Sequence, residues 1–438
     1  MGHLALKDRY TKLGKKIDSL TFRVPWNETL REILKELYTA DEADLVIMMP
    51  YGLSTLARIA KITKVPAPAL ERLLSGLCAK GLVVDLFIEG EYHYMPSPFV
   101  IGIFEFTMMR TGGGLDVKKM ARLFYEYFHH DHGALHAANF GEGISYGIMR
   151  ALPHEEAVRD LPHVEILDYE RATEIVRGWD RFAVGTCSCR HEKLHAGHKR
   201  CEVPLDTCST FGYSADYWIR NGLAKEVSKS GMLENLARSR ELGLVFNADN
   251  VQRNVTFICH CCKCCCNALQ AVNLYGYTQM VVTSTFIARI DGEACTGCGK
   301  CAKECAANAI EMVPVQDEQG KKGKRPVLDE AFCLGCGICT MHCRPRAIML
   351  EKRGRRVIHP ETTFERVILQ SLERGTLQNQ VFDNPMSVTE DVMRAFLGAF
   401  LRLTPVKRAL LGDTLRSRFL DRMKSASRLL GKEWALKL

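Results

Sequence analysis

The sequence predicts an α+β protein of several domains, and three observations carry that prediction. A chain of 438 residues exceeds the roughly 150 expected of one domain. Apolar residues at helical spacing alternate with short runs at strand spacing. Eighteen of the 19 cysteines fall into four knots between positions 187 and 343. The expected division is 1–100, helices ending in a hairpin; 101–290, a cysteine-rich domain; 291–352, a compact tandem-cysteine module; and 353–438, a helical basic tail. With 47% hydrophobic and 25% charged residues, the composition is that of a globular chain.

Positions 27–47 read as one helix, with Leu30, Ile33, Leu34 and Leu37 on one face. A second helix carries Leu53, Leu56, Ile59 and Ala60. After Pro66 and Pro68 a third carries Leu70, Leu73, Leu74, Leu77 and Cys78, and Gly81 ends it. LVVDLFI and EYHYM then read as two strands around Glu89-Gly90. This order resembles a winged helix-turn-helix over about residues 40–97. The resemblance implies DNA binding through the third helix, yet that helix offers only Arg72 and Lys80, with Glu71 among them. Operator binding needs many phosphate contacts, so the module is expected to serve packing and DNA is disfavoured.

Residues 100–180 mix aromatic and helical patches. His129, His130, His132 and His136 lie close together, and His132 and His136 share a helix face. Gly133 interrupts them and no carboxylate pattern accompanies them, so a solvated helix end is expected, with a metal or heme ligand as the alternative.

Cys295, Cys298, Cys301 and Cys305 form one C-x2-C-x2-C-x3-C run, and Cys333, Cys336, Cys339 and Cys343 form another. That is the bacterial [4Fe–4S] spacing. Two such quadruplets disfavour zinc, although paired C-x2-C spacings occur there too. The stretch resembles a dicluster bacterial-type ferredoxin. The resemblance implies that Cys295, Cys298, Cys301 and Cys343 hold one cluster, and Cys333, Cys336, Cys339 and Cys305 the other. Two departures stand out: Ala306 follows Cys305 where the run has proline, and Arg344 precedes Pro345. A longer polar hairpin, VPVQDEQGKKGKRPVLD, separates the halves.

Upstream, Cys187, Cys189, Cys201 and Cys208 fall within 22 residues after the strand-like RFAVGTC. An extended C-x-C points both thiols the same way, and Arg190 and Lys199 offset thiolate charge, so a third cluster is expected. VTFICHCCKCCC then places Cys259, Cys261, Cys262, Cys264, Cys265 and Cys266 within eight positions. Neighbouring cysteines rarely meet disulfide geometry. If the chain stays extended, Cys259, Cys261 and Cys265 face one side and Cys262, Cys264 and Cys266 the other, a wall between two metal sites. Cys265 and Cys266 abut an expected helix N-terminus, which favours thiolate. The alternatives are two cubanes, one larger or non-cubane cluster, and one cubane with free thiols.

A CSCR motif, a CHCCKCCC block and a dicluster tail together resemble a group of 4Fe–4S-binding proteins from anaerobic bacteria and archaea. MPSPFVIGIFEFTMMR and GLAKEVSKSGMLENLARSRELGLV carry the resemblance too, over about residues 40–350. It implies clusters and anaerobic redox metabolism and names no substrate. The group shows a histidine after GLV, where this chain has Phe246.

No phosphate-binding G-x-x-x-x-G-K-[ST] loop and no dinucleotide fingerprint occurs, so electrons are expected to pass between proteins or to a catalytic cluster. The opening MGHLALKDRYTKLGKK lacks a signal-peptide core, and no stretch reaches the roughly 20 apolar residues of a span. A reducing, cytoplasmic setting is expected for so many thiols. The net charge of +8 belongs largely to the tail, where residues 401–438 hold ten basic residues against three acidic. Leu415, Phe419, Met423, Ala426 and Leu430 share a face there, with Arg416, Arg418, Arg422, Lys424 and Arg428 around it. Expected contacts are a redox partner or oxidoreductase subunit, an acidic partner, or the inner face of a membrane; the alternative is packing on its own domain. The expected function is low-potential electron transfer along [4Fe–4S] clusters, two in the tandem module and one or two upstream. The alternatives are a reductase with a catalytic, non-cubane cluster in the ten-cysteine domain, and an iron–sulfur transcription regulator.

Overall fold

The computed structural model describes residues 2–159, 166–316, 322–354 and 357–438. The single helix expected over 27–47 is instead two, Glu28–Leu37 and Ala40–Met48. Thr39 divides them. Its hydroxyl accepts from the Glu42 N–H while the Glu42 carboxylate accepts from the Thr39 N–H, a reciprocal cap that starts a new helix. Strand Ser54–Thr55, helices Leu56–Thr63 and Ala67–Ala79, and the hairpin Val83–Ile88 with Glu91–Pro96 follow, the order of a winged helix.

That hairpin is occupied by the chain's own elements. Arg220 pairs with Asp85, and the Tyr217 hydroxyl donates to the Val83 carbonyl at 3.2 Å. On its other side the Trp434 ring lies 4.6 Å from His93, and Lys437 pairs with Glu89 at 2.7 Å. On the third helix Lys80 is committed to Glu42 at 2.8 Å. The module packs.

Residues 149–282 build a seven-stranded sheet in the order Val281–Val282, Met149–Leu152, Val245–Asp249, Phe257–Cys261, Asp206–Phe211, Phe182–Thr186, Ala224–Glu226. Among the described residues its pairings are antiparallel except at the 281–282 edge. Alternation at period two sends neighbouring residues to opposite faces. Leu152, Phe246 and Ile258 pack under helix Lys229–Glu241, whereas Ala151, Val245 and Phe257 join the core shared with the N-terminal helices.

The tandem-cysteine module pairs Phe286–Ile290 with Ile348–Lys352, and Ile310–Gln316 with Lys322–Leu328. The tip of its long hairpin, 317–321, lies outside the described residues. The module is fastened to the sheet domain by His154 N–H to Cys336 O and Asn273 Nδ2 to Ala306 O, each 2.9 Å.

The tail is helical, as expected: Thr363–Arg374, Leu377–Val381, Val388–Arg402, Thr404–Leu411 and Asp413–Leu429. Phe419 and Met423 pack with Ile368, Leu372 and Leu401, while Leu430 stays exposed. No described helix is long and apolar enough to cross a membrane.

Asp383 ties this tail to the N-terminal module, meeting Arg58 at 3.0 Å and Lys432 at 2.8 Å while its own side chain is buried. Burial opposes its charge, but the bond from Arg58 and the Lys432 charge outweigh that and hold its pKa below the ordinary carboxylate value. Its contribution is therefore present above the unfolded value of 3.8 and lost as pH falls through the lower folded one. Asp383→Asn is expected to cost about 3 kcal/mol at neutral pH, read as a lowered thermal transition. The gap from wild type should close on acidification.

Candidate metal centres

The ten upstream thiols gather at one end of the sheet, by a route that differs from the extended chain expected. Strand Phe182–Thr186 stops before Cys187, which caps helix Ser188–His195, so Cys189 lies in a helical first turn. The second block is a strand only through Cys261. Cys262–Cys265 turn, and Cys266 caps helix Asn267–Tyr275, as the expected helix N-terminus required. The alternating assignment of faces therefore fails beyond Cys261, because a turn has no period of two.

Two thiol groups result. Cys201, Cys262, Cys264 and Cys265 place their sulfurs all within 4.8 Å of one another. Cys208, Cys259, Cys261, Cys266 and Cys189 form a chain of neighbouring thiols, with Cys187 in electrostatic reach. Burial pushes the Cys187 thiol up to about 12. Cys262 goes the other way, lowered by bonds from Cys264 and Cys265 and then by Arg190.

Arg190 sits between the groups, fully buried. Its Nη1 donates to Pro204 O at 2.7 Å and Thr207 Oγ1 at 2.9 Å, and its Nη2 to His260 O at 2.8 Å. Beside it Lys193 bonds both Glu192 carboxylate oxygens at 2.9 Å and Asn267 Oδ1 at 2.6 Å, with no exposure of either charged side chain. The sequence reading missed this ion pair. Its signal was a short helix, SCRHEKLH, polar on every face and so not a surface helix with an apolar stripe.

A cavity of about 490 Å³ opens against the second thiol group and also touches Cys262 and Cys265 of the first. Its apolar walls include Leu86, Phe104, Phe106, Met109 and Trp218, and Trp434 and Leu438 close one side. Glu105 lines it too, accepting from Gly102 N–H at 2.9 Å, and burial pushes its carboxyl up to about 7. This residue also went unnoticed, for nothing in GIFEFTMMR sets it apart from a surface glutamate. Phe246 packs between His154 and His260 with ring centroids at 4.6 and 5.1 Å.

The histidine cluster is not a solvated end throughout. His130 and His132 are exposed, but His136 is buried against Phe128 and Tyr275, and His129 Nδ1 meets the Tyr275 hydroxyl at 2.7 Å. Burial lowers His129 to about 4 and His136 to about 3.

In the tandem module each C-x2-C-x2-C loop runs into a short helix that carries its third cysteine, Lys300–Glu304 with Cys301 or Ile338–Met341 with Cys339. Gly297 and Gly335 hold matching positions at φ 70° and 65°. A Cβ on Gly335 would meet Phe286 O at 2.1 Å, and one on Gly297 would meet Lys324 O at 2.3 Å. Each loop is thus pressed onto the neighbouring strand, turning N–H groups inward: Gly297 N–H lies 3.4 Å from Cys295 Sγ, and Ala309 N–H 3.2 Å from Cys305 Sγ. Thiolate donors and N–H···S bonds fit a cubane. Cys305 belongs to the first run by sequence, yet Cys336 and Cys339 feel its charge together with that of Cys333. Cys305 also lies near Lys263 of the upstream block.

Residues 294–362 match the family described as 4Fe-4S dicluster domain. No curated protein and no solved structure matches the chain. The chain is an iron–sulfur protein with a ferredoxin-like 4Fe–4S module in its C-terminal half.

Two outcomes follow. Gly335→Ala forces a methyl into a carbonyl at positive φ and should cost more than about 1 kcal/mol, read as lost cluster absorbance in the purified protein. Glu105, its folded pKa raised, gives stability that is complete below 4.5 and declines as pH rises through about 7. Glu105→Gln should remove that decline, flattening thermal stability across the same interval.

Proposed function

We propose that the chain transfers low-potential electrons along several [4Fe–4S] clusters, as a cytoplasmic subunit or partner of an anaerobic oxidoreductase. Cys295, Cys298, Cys301 and Cys343 hold one cubane and Cys305, Cys333, Cys336 and Cys339 the other. The six thiols at 187, 189, 208, 259, 261 and 266 hold a further cluster. One observation carries the reading: the dicluster module is bolted to the sheet domain through Cys336 and Ala306, with Cys305 in electrostatic reach of Lys263 in the upstream cysteine block. Iron–sulfur centres in adjoining modules give charge a continuous path, and burial with N–H···S bonds tunes each potential. A partner would meet helix Val388–Arg402, where Val388, Val392, Phe396 and Phe400 form an exposed apolar row at four-residue spacing. The regulator reading has little support, since the winged-helix hairpin is already covered.

The cavity favours a second reading, a reductase. Its volume lies within the range of small-molecule sites, its wall carries the second thiol group, and Glu105 offers a carboxyl poised near neutrality. A cluster bound there would supply electrons, and the chain's part would be to exclude water and hold a proton on Glu105. Turnover of an apolar organic substrate, reduced by dithionite-treated protein and abolished in Glu105→Gln, would establish it.

For the electron-transfer reading, Cys305→Ser and Cys343→Ser are each expected to remove one cubane, about four irons and four sulfides. The two variants should abolish different EPR signals in the reduced protein. Cys305→Ser should lose the signal that Cys333→Ser loses, and Cys343→Ser the one that Cys295→Ser loses; the reverse matching would overturn the crossed ligand sets, and colourless wild-type protein from oxygen-free preparation would overturn the function.

A further inference from the structure

The four sulfurs of Cys201, Cys262, Cys264 and Cys265 form a compact quartet. Cys201 Sγ lies 3.8 Å from Cys262 Sγ and 3.8 Å from Cys265 Sγ, and Cys264 Sγ lies 3.5 Å from Cys265 Sγ. All four fall within 4.8 Å of one another. Four thiolates about 2.3 Å from a single tetrahedral ion stand about 3.8 Å apart. In a cubane each thiolate binds a different iron, so an iron–iron edge intervenes between every pair of ligands and spreads them further. The same structure contains the contrast. Among the described residues neither ferredoxin quadruplet draws three sulfurs together within 4.8 Å, nor does the chain of thiols from Cys208 to Cys189.

We infer that these four cysteines form a mononuclear tetrathiolate site for Zn²⁺, distinct from the iron–sulfur centres. The spacing agrees, since Cys262 and Cys265 are a C-x2-C pair in a turn between strand Phe257–Cys261 and helix Asn267–Tyr275, with Cys201 supplied from a distant loop. Cys262 and Cys265 are buried with Leu244 and Val203, and sulfur fills all four positions of the site, the ligand set of structural rather than catalytic zinc. A Zn(Cys)4 centre carries two negative charges. Arg190 lies against Cys262, and the Lys199 ammonium donates to the Cys201 carbonyl. Gln270 Nε2 donates to Cys264 O at 2.9 Å and Cys266 N–H to Cys262 O at 3.2 Å, fixing the turn without using its sulfurs. The ion would clip the 199–204 loop to the 262–266 turn. That turn carries Cys266 toward Cys189 and Cys261, so the clip sets the wall of the neighbouring cluster site.

The inference needs iron–sulfur centres elsewhere only for the geometric contrast, and the test scores the two separately. Full-length protein is purified without oxygen and analysed for zinc, iron and sulfide, with X-ray absorption at the zinc edge. The expected result is one zinc per chain in a shell of four sulfurs at about 2.3 Å, with no iron neighbour. Cys201→Ser and Cys264→Ser, whose sulfurs line no part of the cavity, should each lose that zinc while keeping the two ferredoxin EPR signals. If either variant fails to accumulate, wild-type protein from cobalt-supplemented cells should instead show tetrathiolate cobalt absorption. Absence of zinc, or loss of iron and sulfide from Cys201→Ser in place of zinc, overturns the assignment. Loss of the ferredoxin signals in wild type counts against the electron-transfer reading alone.

Discussion

Thiolate charge is the constraint on which the architecture depends. Ten sulfurs at one end of a sheet could be ionised together only if metal displaced their protons and cations took up the remaining charge. Arg190 meets the second need from inside the protein. Its guanidinium is tethered to the carbonyls of Pro204 and His260, so it links the loop bearing Cys201 to the strand bearing Cys259 and Cys261. A lysine there would reach only one of these acceptors at a time, because the planar fork is what spans them. The buried Glu192–Lys193–Asn267 network extends the same logic. It anchors helix Ser188–His195 to the N-terminus of helix Asn267–Tyr275, the two helices whose first residues border Cys189 and Cys266.

The winged-helix arrangement serves this centre as a wall. Its hairpin presents Leu86 to a cluster containing Cys208, Tyr217 and Trp218, and its outer side is sealed by the last residues of the chain. The segment PSPFVIGIFEF continues that wall and brings Glu105 to the cavity. Elements distant in sequence therefore converge on one apolar space beside sulfur. The arrangement suits a centre that must be kept from water, which would otherwise solvate charge and reach bound sulfide.

Much of this was legible in the sequence, and the limits were physical. Ligand spacing survives folding because a C-x2-C-x2-C loop closes on itself, so the tandem module could be read directly from Cys295 to Cys343. The hairpin at Glu89-Gly90 and the winged-helix order were legible for the same reason, being local. The split at Thr39 was missed because a four-residue cap interrupts a continuous apolar stripe without altering its period. The partition of the ten upstream thiols was illegible in principle. Alternation holds only while a strand lasts, and nothing in CHCCKCCC announces that it ends at Cys261. His136 and Glu105 were misjudged or unseen because burial by distant segments, not local pattern, sets their state.

The two thiol groups also show why cysteine count alone underdetermines metal content. Sulfurs delivered by the turn gather into a compact quartet, whereas Cys259 and Cys261, two apart on one face of a strand, continue a line of neighbouring thiols from Cys208 to Cys266. A crowded quartet suits one ion and a spread set suits several bridged irons. Backbone conformation over six residues thus decides which sulfurs crowd and which are strung out. In this chain the decision falls at Cys262, where the strand gives way to the turn: thiols before it face Cys208 and the cavity, and thiols immediately after it close around Cys201. Cys266, returned by the helix cap to Cys189, rejoins the first set. One short segment therefore partitions two thiol groups, and the helix that follows it, through Asn273 and Ala306, is also the element on which the dicluster module rests.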